Sequence, residues 1–296
     1  MKNSHGEYMT KKVMFVGTWG ESPADMLERY SNQTPNNSGV WKDIQGVSNQ
    51  GEADYIVALD GFSNSEINSV DWSKIIYLQR EPNTIRSHFM GHSFPPDIFF
   101  EGTMDAIHPV QTWWINMPFD DLCKLSYPKK TKKISTITSG KSSMVEYTER
   151  LQFLRDFCNT YEDIDVYGKG TQEVVPRFWR GELNYDGKCK FKGHEDYEYS
   201  LALENVHYPN SWSEKPCDSI LSWALPIYSG ASNFGEYFPQ ESFHQINLKN
   251  FDMEEIIEFI SEPPTKIQIE ALREARELIL YKYNIWPTIK NIIDEN

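Results

Sequence analysis

The sequence is poor in cysteine and in positive charge, and it has no long apolar run. Its four cysteines, Cys123, Cys158, Cys189 and Cys217, form no CxxC pair in 296 residues. That spacing excludes the common zinc frameworks and a disulfide scaffold, and sets reduced, intracellular thiols as the expectation. Lys and Arg total 29 against 43 Asp and Glu, a net charge of -14. Such a chain repels phosphate backbones, so nucleic acid is not an expected partner. The one basic run, "KKTKK" at 129–133, reads as a solvated linker. No stretch reaches the roughly 20 apolar residues that span a bilayer. The N-terminal "MKNSHGEYMTKK" has no apolar core of a signal peptide. The expectation is a soluble, cytoplasmic protein without a transmembrane segment.

What is present suits a large folded protein. Hydrophobic residues make up 39 % and aromatic residues 14 %, including 9 Trp and 16 Tyr, enough for a sizeable core. "KVMFVGTW" (12–19), "ADYIVALDG" (53–61), "KIIYLQREP" (74–82) and "DIFFEG" (97–102) read as strands closed by Gly or Pro, with a polar loop at 31–38. The composition shifts at 124–133, "KLSYPKKTKK", which reads as an interdomain linker. A second set follows: a strand at 133–140, a helix at 144–158 with Leu151, Leu154 and Phe157 at helical spacing, a strand at 164–170 and a helix-to-strand repeat through 214–228. A helix at 252–260 and a long helical tail at 265–293, broken near Pro287, complete the chain. Strands alternating with helices predict two α/β layers with parallel sheets. Ligands of such sheets sit beyond the strand C-termini.

Three short patterns carry little chemistry. "TSGKSS" (138–143) lacks the phosphate-loop glycine, because Ser135 stands in its place. His88 and His92 sit at i, i+4 without a third ligand nearby in sequence. "FDD" (119–121) reads as structural. "YLQREP" is more ambiguous: Glu81 at a strand end is either a surface carboxylate paired with Arg80 or a general base.

The densest polar stretch is "LENVHYPNSWSEK" (203–215), set between the apolar "YSLAL" and "CDSILSWAL". Ser213 is placed to cap a helix opening at Glu214, with Pro216 in the first turn, where its missing N–H costs nothing. Glu214 and Lys215 then stand at a helix N-terminus, whose free N–H groups and positive dipole suit a phosphate. A capped helix does not account for Glu204 and Asn205.

These residues resemble the α1,3/4-fucosyltransferases, glycosyltransferase family 10. The family carries a strand, an FEN triplet, a short variable stretch and a (Y)xTEK motif, followed by a helix and an "(I/V)P(I/V)..G" strand. Here Glu204 and Asn205 match the EN, Ser213, Glu214 and Lys215 match the TEK, and Pro226, Ile227 and Gly230 match the next strand and turn. Leu203 replaces the family Phe, and Ser211, with Trp212 beside it, replaces the family aromatic. Upstream, "SSMVEYTERLQFLRDFCNTYEDIDVYGKG" resembles the segment carrying a donor-phosphate Arg, here Arg150, and ending in Tyr167 and Gly168. "YLQREPNTI" resembles the strand end bearing the proposed catalytic base, here Glu81, and "TWWINMPFDD" resembles a segment before the linker.

The resemblance implies a GT-B fold, α/β with two Rossmann-like domains facing a central cleft. Residues 1–128 would bind the acceptor and supply the base. Residues 129–296 would bind the nucleotide sugar, with the C-terminal tail packing back on the N-terminal domain. It implies an inverting transfer of fucose from GDP-fucose to a glycan hydroxyl. Glu81 would be catalytic, and Arg150, Tyr167, Gly168, Glu204, Asn205, Ser211, Trp212, Ser213, Glu214 and Lys215 would bind the donor. The chemistry requires no metal, which leaves Mg²⁺ or Mn²⁺ at most a stimulatory part. Absence of a membrane anchor makes the chain more like bacterial or viral members than Golgi ones. A relative using another nucleotide sugar and a non-catalytic nucleotide-sugar or glycan-binding protein stay open. The acceptor, the linkage and the oligomeric state have no signal in the sequence.

Overall fold

The computed structural model describes residues 10–61, 71–78, 99–101, 113–183 and 190–295. The chain divides into two compact units. The first takes Met1–Thr112, Pro118–Cys123 and Leu280–Asn296, and the second takes Trp113–Met117 and Lys124–Ile279.

The first unit contains β1 (Lys11–Gly17), α1 (Pro23–Ser31), β2 (Val40–Trp41), β3 (Ile44–Val47), β4 (Tyr55–Leu59), β5 (Ile75–Leu78) and β6 (Phe99–Glu101), with the short α2 (Phe119–Lys124) later in the chain. The strands form one sheet in the order β2-β3-β1-β4-β5-β6. All pairings are parallel except the β2–β3 hairpin, which the polar composition around 31–45 did not signal. Val13, Met14, Phe15 and Val16 in β1 are all buried. A four-residue apolar run without alternation fits a strand covered on both faces. α1 starts with a capping box, Ser22 and Asp25 satisfying each other's backbone N–H groups, a local signal that fixes where the helix begins.

The second unit contains β7 (Lys132–Ile137), α3 (Val145–Thr160), β8 (Ile164–Tyr167), β9 (Trp179–Gly181), β10 (Tyr197–Leu203), α4 (Glu214–Leu221), β11 (Leu225–Ser229), β12 (His244–Gln245), α5 (Met253–Ser261) and α6 (Lys266–Tyr281). Its sheet runs β12-β11-β10-β7-β8-β9, parallel throughout. α3 buries Leu151, Leu154, Phe157 and Cys158 along one face, and Arg150 with them.

One sequence expectation changes in part here, and another gains its local cause. "KKTKK" is only in part a solvated linker: Lys129 and Thr131 are exposed and lie outside any strand or helix. Lys132 and Lys133 lie in β7, where they pair with Asp165 at 3.1 Å and Glu198 at 2.6 Å. Lys130 donates to the carbonyls of Glu195 at 2.8 Å and Ser222 at 2.9 Å. Charge density marked the whole run as exposed, but backbone carbonyls and carboxylates in the fold engage the ammonium groups of Lys130, Lys132 and Lys133. The helical tail breaks just before Pro287, near the expected point. α6 ends at Tyr281 and α7 runs Ile285–Glu295, with the break at 282–284. The side-chain oxygen of Asn284 accepts from the N–H of Trp286 at 3.2 Å, and Pro287 falls in the first turn of α7, where no intrahelical N–H bond is lost. Within the first unit, Trp286 donates to the carbonyl of Tyr30 at 2.8 Å and meets the ring of Phe15 edge-on.

No helix among the described residues is long and apolar enough to cross a membrane.

Candidate functional site

In the second sheet β8 and β9 lie on one side of β7, while β10, β11 and β12 lie on the other. The chain therefore leaves β7 and β10 in opposite directions, and the loops after them part at the C-terminal edge. Parallel α/β sheets bind ligands at such a switch point. The two loops are residues 138–144 and 204–213.

Arg150 joins them. It is 2 % exposed. Its Nη1 donates to Oδ1 of Asn205, directly after β10, and its Nη2 donates to the carbonyl of Ser139, directly after β7, at 3.0 Å. The Nε has no hydrogen-bond partner among the described residues. The guanidinium also lies 5.3 Å from the ring centroid of Tyr147. Burial draws its pKa below the usual arginine range, opposed by Tyr147 and Glu204, yet a guanidinium stays charged at physiological pH. A buried cation with an unsatisfied donor is suited to an anionic ligand.

α4 opens at the same edge. Ser213 is its N-cap, accepting from the N–H of Lys215 at 3.3 Å. The carboxylate of Glu204 accepts from the Ser213 N–H at 2.7 Å, from the Ser213 hydroxyl at 2.7 Å and from Lys215 Nζ at 3.1 Å. Glu214 lies beside Lys190, 3.7 Å away. Burial works against ionisation of Glu214, but Lys215, Lys190, the helix N–H and Ser213 outweigh it and hold the carboxyl at about 2. Lys215 is pushed above the usual lysine range: burial alone would lower it, and Glu204 and Glu214 reverse that. The helix N-terminus thus presents a firmly charged cation and a firmly charged anion side by side.

The remaining expected positions sit nearby with different surroundings. Ser211 is buried, and its N–H is bonded to the Tyr208 carbonyl. Trp212 is 2 % exposed and its indole meets Phe234, Tyr237 and Phe238 at 5.2 to 5.9 Å, so it anchors the loop in the core. Tyr167 ends β8, its hydroxyl 2.8 Å from that of Tyr197, which donates to Asp165 at 2.7 Å. Gly168 follows with φ +125°, and a Cβ there would lie 1.7 Å from the carbonyl oxygen of Thr138. Only glycine lets the loops after β7 and β8 approach this closely. Glu81 lies outside the described residues, as do His88 and His92.

Two contributors had weak or no sequence signal. Lys190, from the turn before β10, donates to Asp218 at 2.5 Å, which also accepts from the Trp114 N–H at 2.7 Å. Asp218 is fully buried within α4. Burial pushes its carboxyl up, Lys190 and the Trp114 N–H draw it back, and the result is about 6. A lone Asp in the apolar stripe "CDSILSWAL" was the available signal; nothing near Lys190 marked it. Among the described residues no group of three or more His, Cys, Asp or Glu is arranged to hold a metal ion.

Residues 127–264 match the family described as glycosyltransferase family 10 (fucosyltransferase) C-term. This span contains every described residue of the site except Trp114. Among solved structures, a T4 phage BGT mutant in complex with UDP-glucose aligns with 97 % of this chain and 100 % of its own, at TM-score 0.53 and 11 % identity. An alpha1,3-fucosyltransferase crystallised with GDP-fucose aligns over 99 % of this chain and 93 % of its own, at TM-score 0.45 and 16 % identity. The corresponding structure with GDP covers 96 % and 95 %, at TM-score 0.44 and 16 % identity. No curated protein matches the chain. The fold is GT-B, built from two parallel α/β units. Residues 127–264 thus resemble the C-terminal domain of the glycosyltransferase family 10 fucosyltransferases.

Proposed function

We propose that the protein is an inverting glycosyltransferase that moves fucose from GDP-fucose to a hydroxyl of a glycan acceptor. The observation that carries this reading is the cation pair at the switch point of the second unit. Arg150 ties the loops after β7 and β10, and Lys215 stands at the α4 N-terminus. Two cations and a helix N-terminus form the arrangement that a departing nucleoside diphosphate requires. The family match over this unit supports the same donor class.

The chemistry follows from that placement. Glu81 removes the proton from an acceptor hydroxyl as that oxygen attacks the anomeric carbon in line. The sugar passes through an oxocarbenium-like transition state, and the bond to the diphosphate oxygen breaks on the opposite face. Charge then accumulates on the leaving phosphate, where Arg150, Lys215 and the α4 N–H groups stabilise it. Glu214, ionised between two lysines, accepts hydrogen bonds from the ribose hydroxyls, and Asn205 contacts the donor. Residues 129–296 supply the donor side and the N-terminal residues the acceptor side. Ser211, standing where the family has an aromatic residue, favours one second reading, a related nucleotide sugar as donor.

A transfer and hydrolysis assay across a panel of nucleotide sugars tests both. Turnover of GDP-fucose supports the first reading; turnover of another donor without GDP-fucose replaces it. Glu81→Gln should abolish transfer and leave GDP binding intact. Unchanged transfer by that variant would remove Glu81 as the base.

A further inference from the structure

The sequence reading grouped Glu204 with the donor-contacting residues. Its surroundings give it a different task. The side chain is 5 % exposed. Oε1 accepts from the Ser213 N–H at 2.7 Å, and Oε2 accepts from the Ser213 hydroxyl at 2.7 Å and from Lys215 Nζ at 3.1 Å. Three of the roughly four acceptor positions of a carboxylate are therefore filled from within the chain. Gly230 packs against the stem of the side chain: a Cβ there would stand 2.6 Å from Cγ of Glu204 and 2.2 Å from the Tyr228 hydroxyl. About one acceptor position is left on a side chain that is almost wholly buried.

Lys215 shows the complementary pattern. Of its three N–H donors, one goes to Glu204 and one to the Ser213 hydroxyl at 3.1 Å. Two bonds fix an otherwise flexible ammonium and leave one donor for a ligand. The rotamer entropy of a lysine, on the order of 2 kcal/mol, is then spent in folding and not at the moment of binding. On the reading given above, we infer that Glu204 is a positioning residue, which holds Lys215 and the α4 cap in place for the diphosphate without itself touching the nucleotide sugar.

A double-mutant cycle read by calorimetric titration of GDP at neutral pH tests this. Glu204→Gln keeps an acceptor for Ser213 but loses the charge that holds Lys215. It should weaken GDP binding about ten-fold. In a Lys215→Ala background the same substitution should change affinity less than about two-fold, because the group it acts through is gone. Glu204→Gln should also move the alkaline decline of GDP affinity to lower pH, an effect that general loosening of the loop does not produce. An undiminished Glu204→Gln effect in the Lys215→Ala background would show direct ligand contact and overturn the inference; so would unaltered GDP affinity in the single variant. Ser213→Ala, which removes the hydroxyl bridging the two side chains, carries the same cycle if Glu204→Gln fails to fold. Absence of GDP binding by the wild-type protein would overturn the nucleotide-site reading itself, a result distinct from additivity within a cycle that does bind GDP.

Discussion

The guanidinium of Arg150, from the first half of α3, donates to the side-chain amide oxygen of Asn205 at the end of β10, 55 residues further along the chain. The same guanidinium holds the Ser139 carbonyl after β7. One buried cation therefore fixes both loops of the switch point and leaves its Nε without a partner among the described residues. On the proposed function, one side chain then serves both the order of the loops and the binding of an anion.

That combination makes Arg150→Lys a poor replacement. A lysine carries the charge but lacks the planar fork that reaches two acceptors at once. The variant should lose at least about ten-fold in GDP affinity, on the scale of a lost charge-assisted hydrogen bond. Its thermal midpoint should also fall, because the two loops are no longer tied. Titration calorimetry and a thermal melt check the two effects. A variant matching wild type in both would show that charge alone matters here.

Gly168 and Gly181 separate steric from conformational strain. Both have strongly positive φ, +125° and +121°. A Cβ at Gly168 would strike the Thr138 carbonyl oxygen at 1.7 Å, whereas one at Gly181 would meet nothing within 4 Å. Gly181→Ala should cost about 1–2 kcal/mol, the price of backbone strain alone. Gly168→Ala should cost clearly more, about 3 kcal/mol or above, and displace the loop beside Tyr167. Equal losses in denaturant unfolding would refute the close approach of the two loops.

His194 gives the fold a defined acid sensitivity. It is 4 % exposed, and burial, reinforced by Lys190 and Lys130, lowers its pKa from 6.5 to about 3. Between those values the unfolded chain binds the extra proton and the folded chain does not. The contribution of His194 is therefore fully present above about pH 6.5 and is lost as pH falls toward 3, by up to about 1.4 kcal/mol per pH unit. Denaturant unfolding across this range should show a shallower pH slope for His194→Gln than for wild type. Identical slopes would mean that His194 is protonated in the folded state.

The parts of this molecule that follow from local chemistry were legible in the sequence. The apolar run Val13–Val16, the helical spacing of Leu151, Leu154 and Phe157, and the Ser213 cap before Pro216 each specify their element from neighbouring residues. The parts that depend on distant partners were not. Lys130, Lys132 and Lys133 looked solvated because the carbonyls and carboxylates that engage them come from 165, 195, 198 and 222. Pro287 marked the neighbourhood of the tail break, but the cap at Asn284 that sets its position is not evident from residue type alone. At the candidate site, the motif singled out Glu204 and Lys215, which the fold brings together. Lys190 was not singled out, since its partner Asp218 lies 28 residues away. The inward packing of Trp212 depends on three rings that only the fold assembles.

The central claim is that Arg150 at the switch point of the second unit binds the diphosphate of a nucleotide sugar. Parallel calorimetric titrations of GDP and guanosine into wild-type protein and Arg150→Ala test it most directly. The account predicts that wild type binds GDP at least about a hundred-fold more tightly than guanosine, as two charge-assisted phosphate contacts would give, and that Arg150→Ala removes most of this difference while leaving guanosine affinity nearly unchanged. Equal affinity for GDP and guanosine in wild type, or a GDP preference untouched by Arg150→Ala, would contradict it.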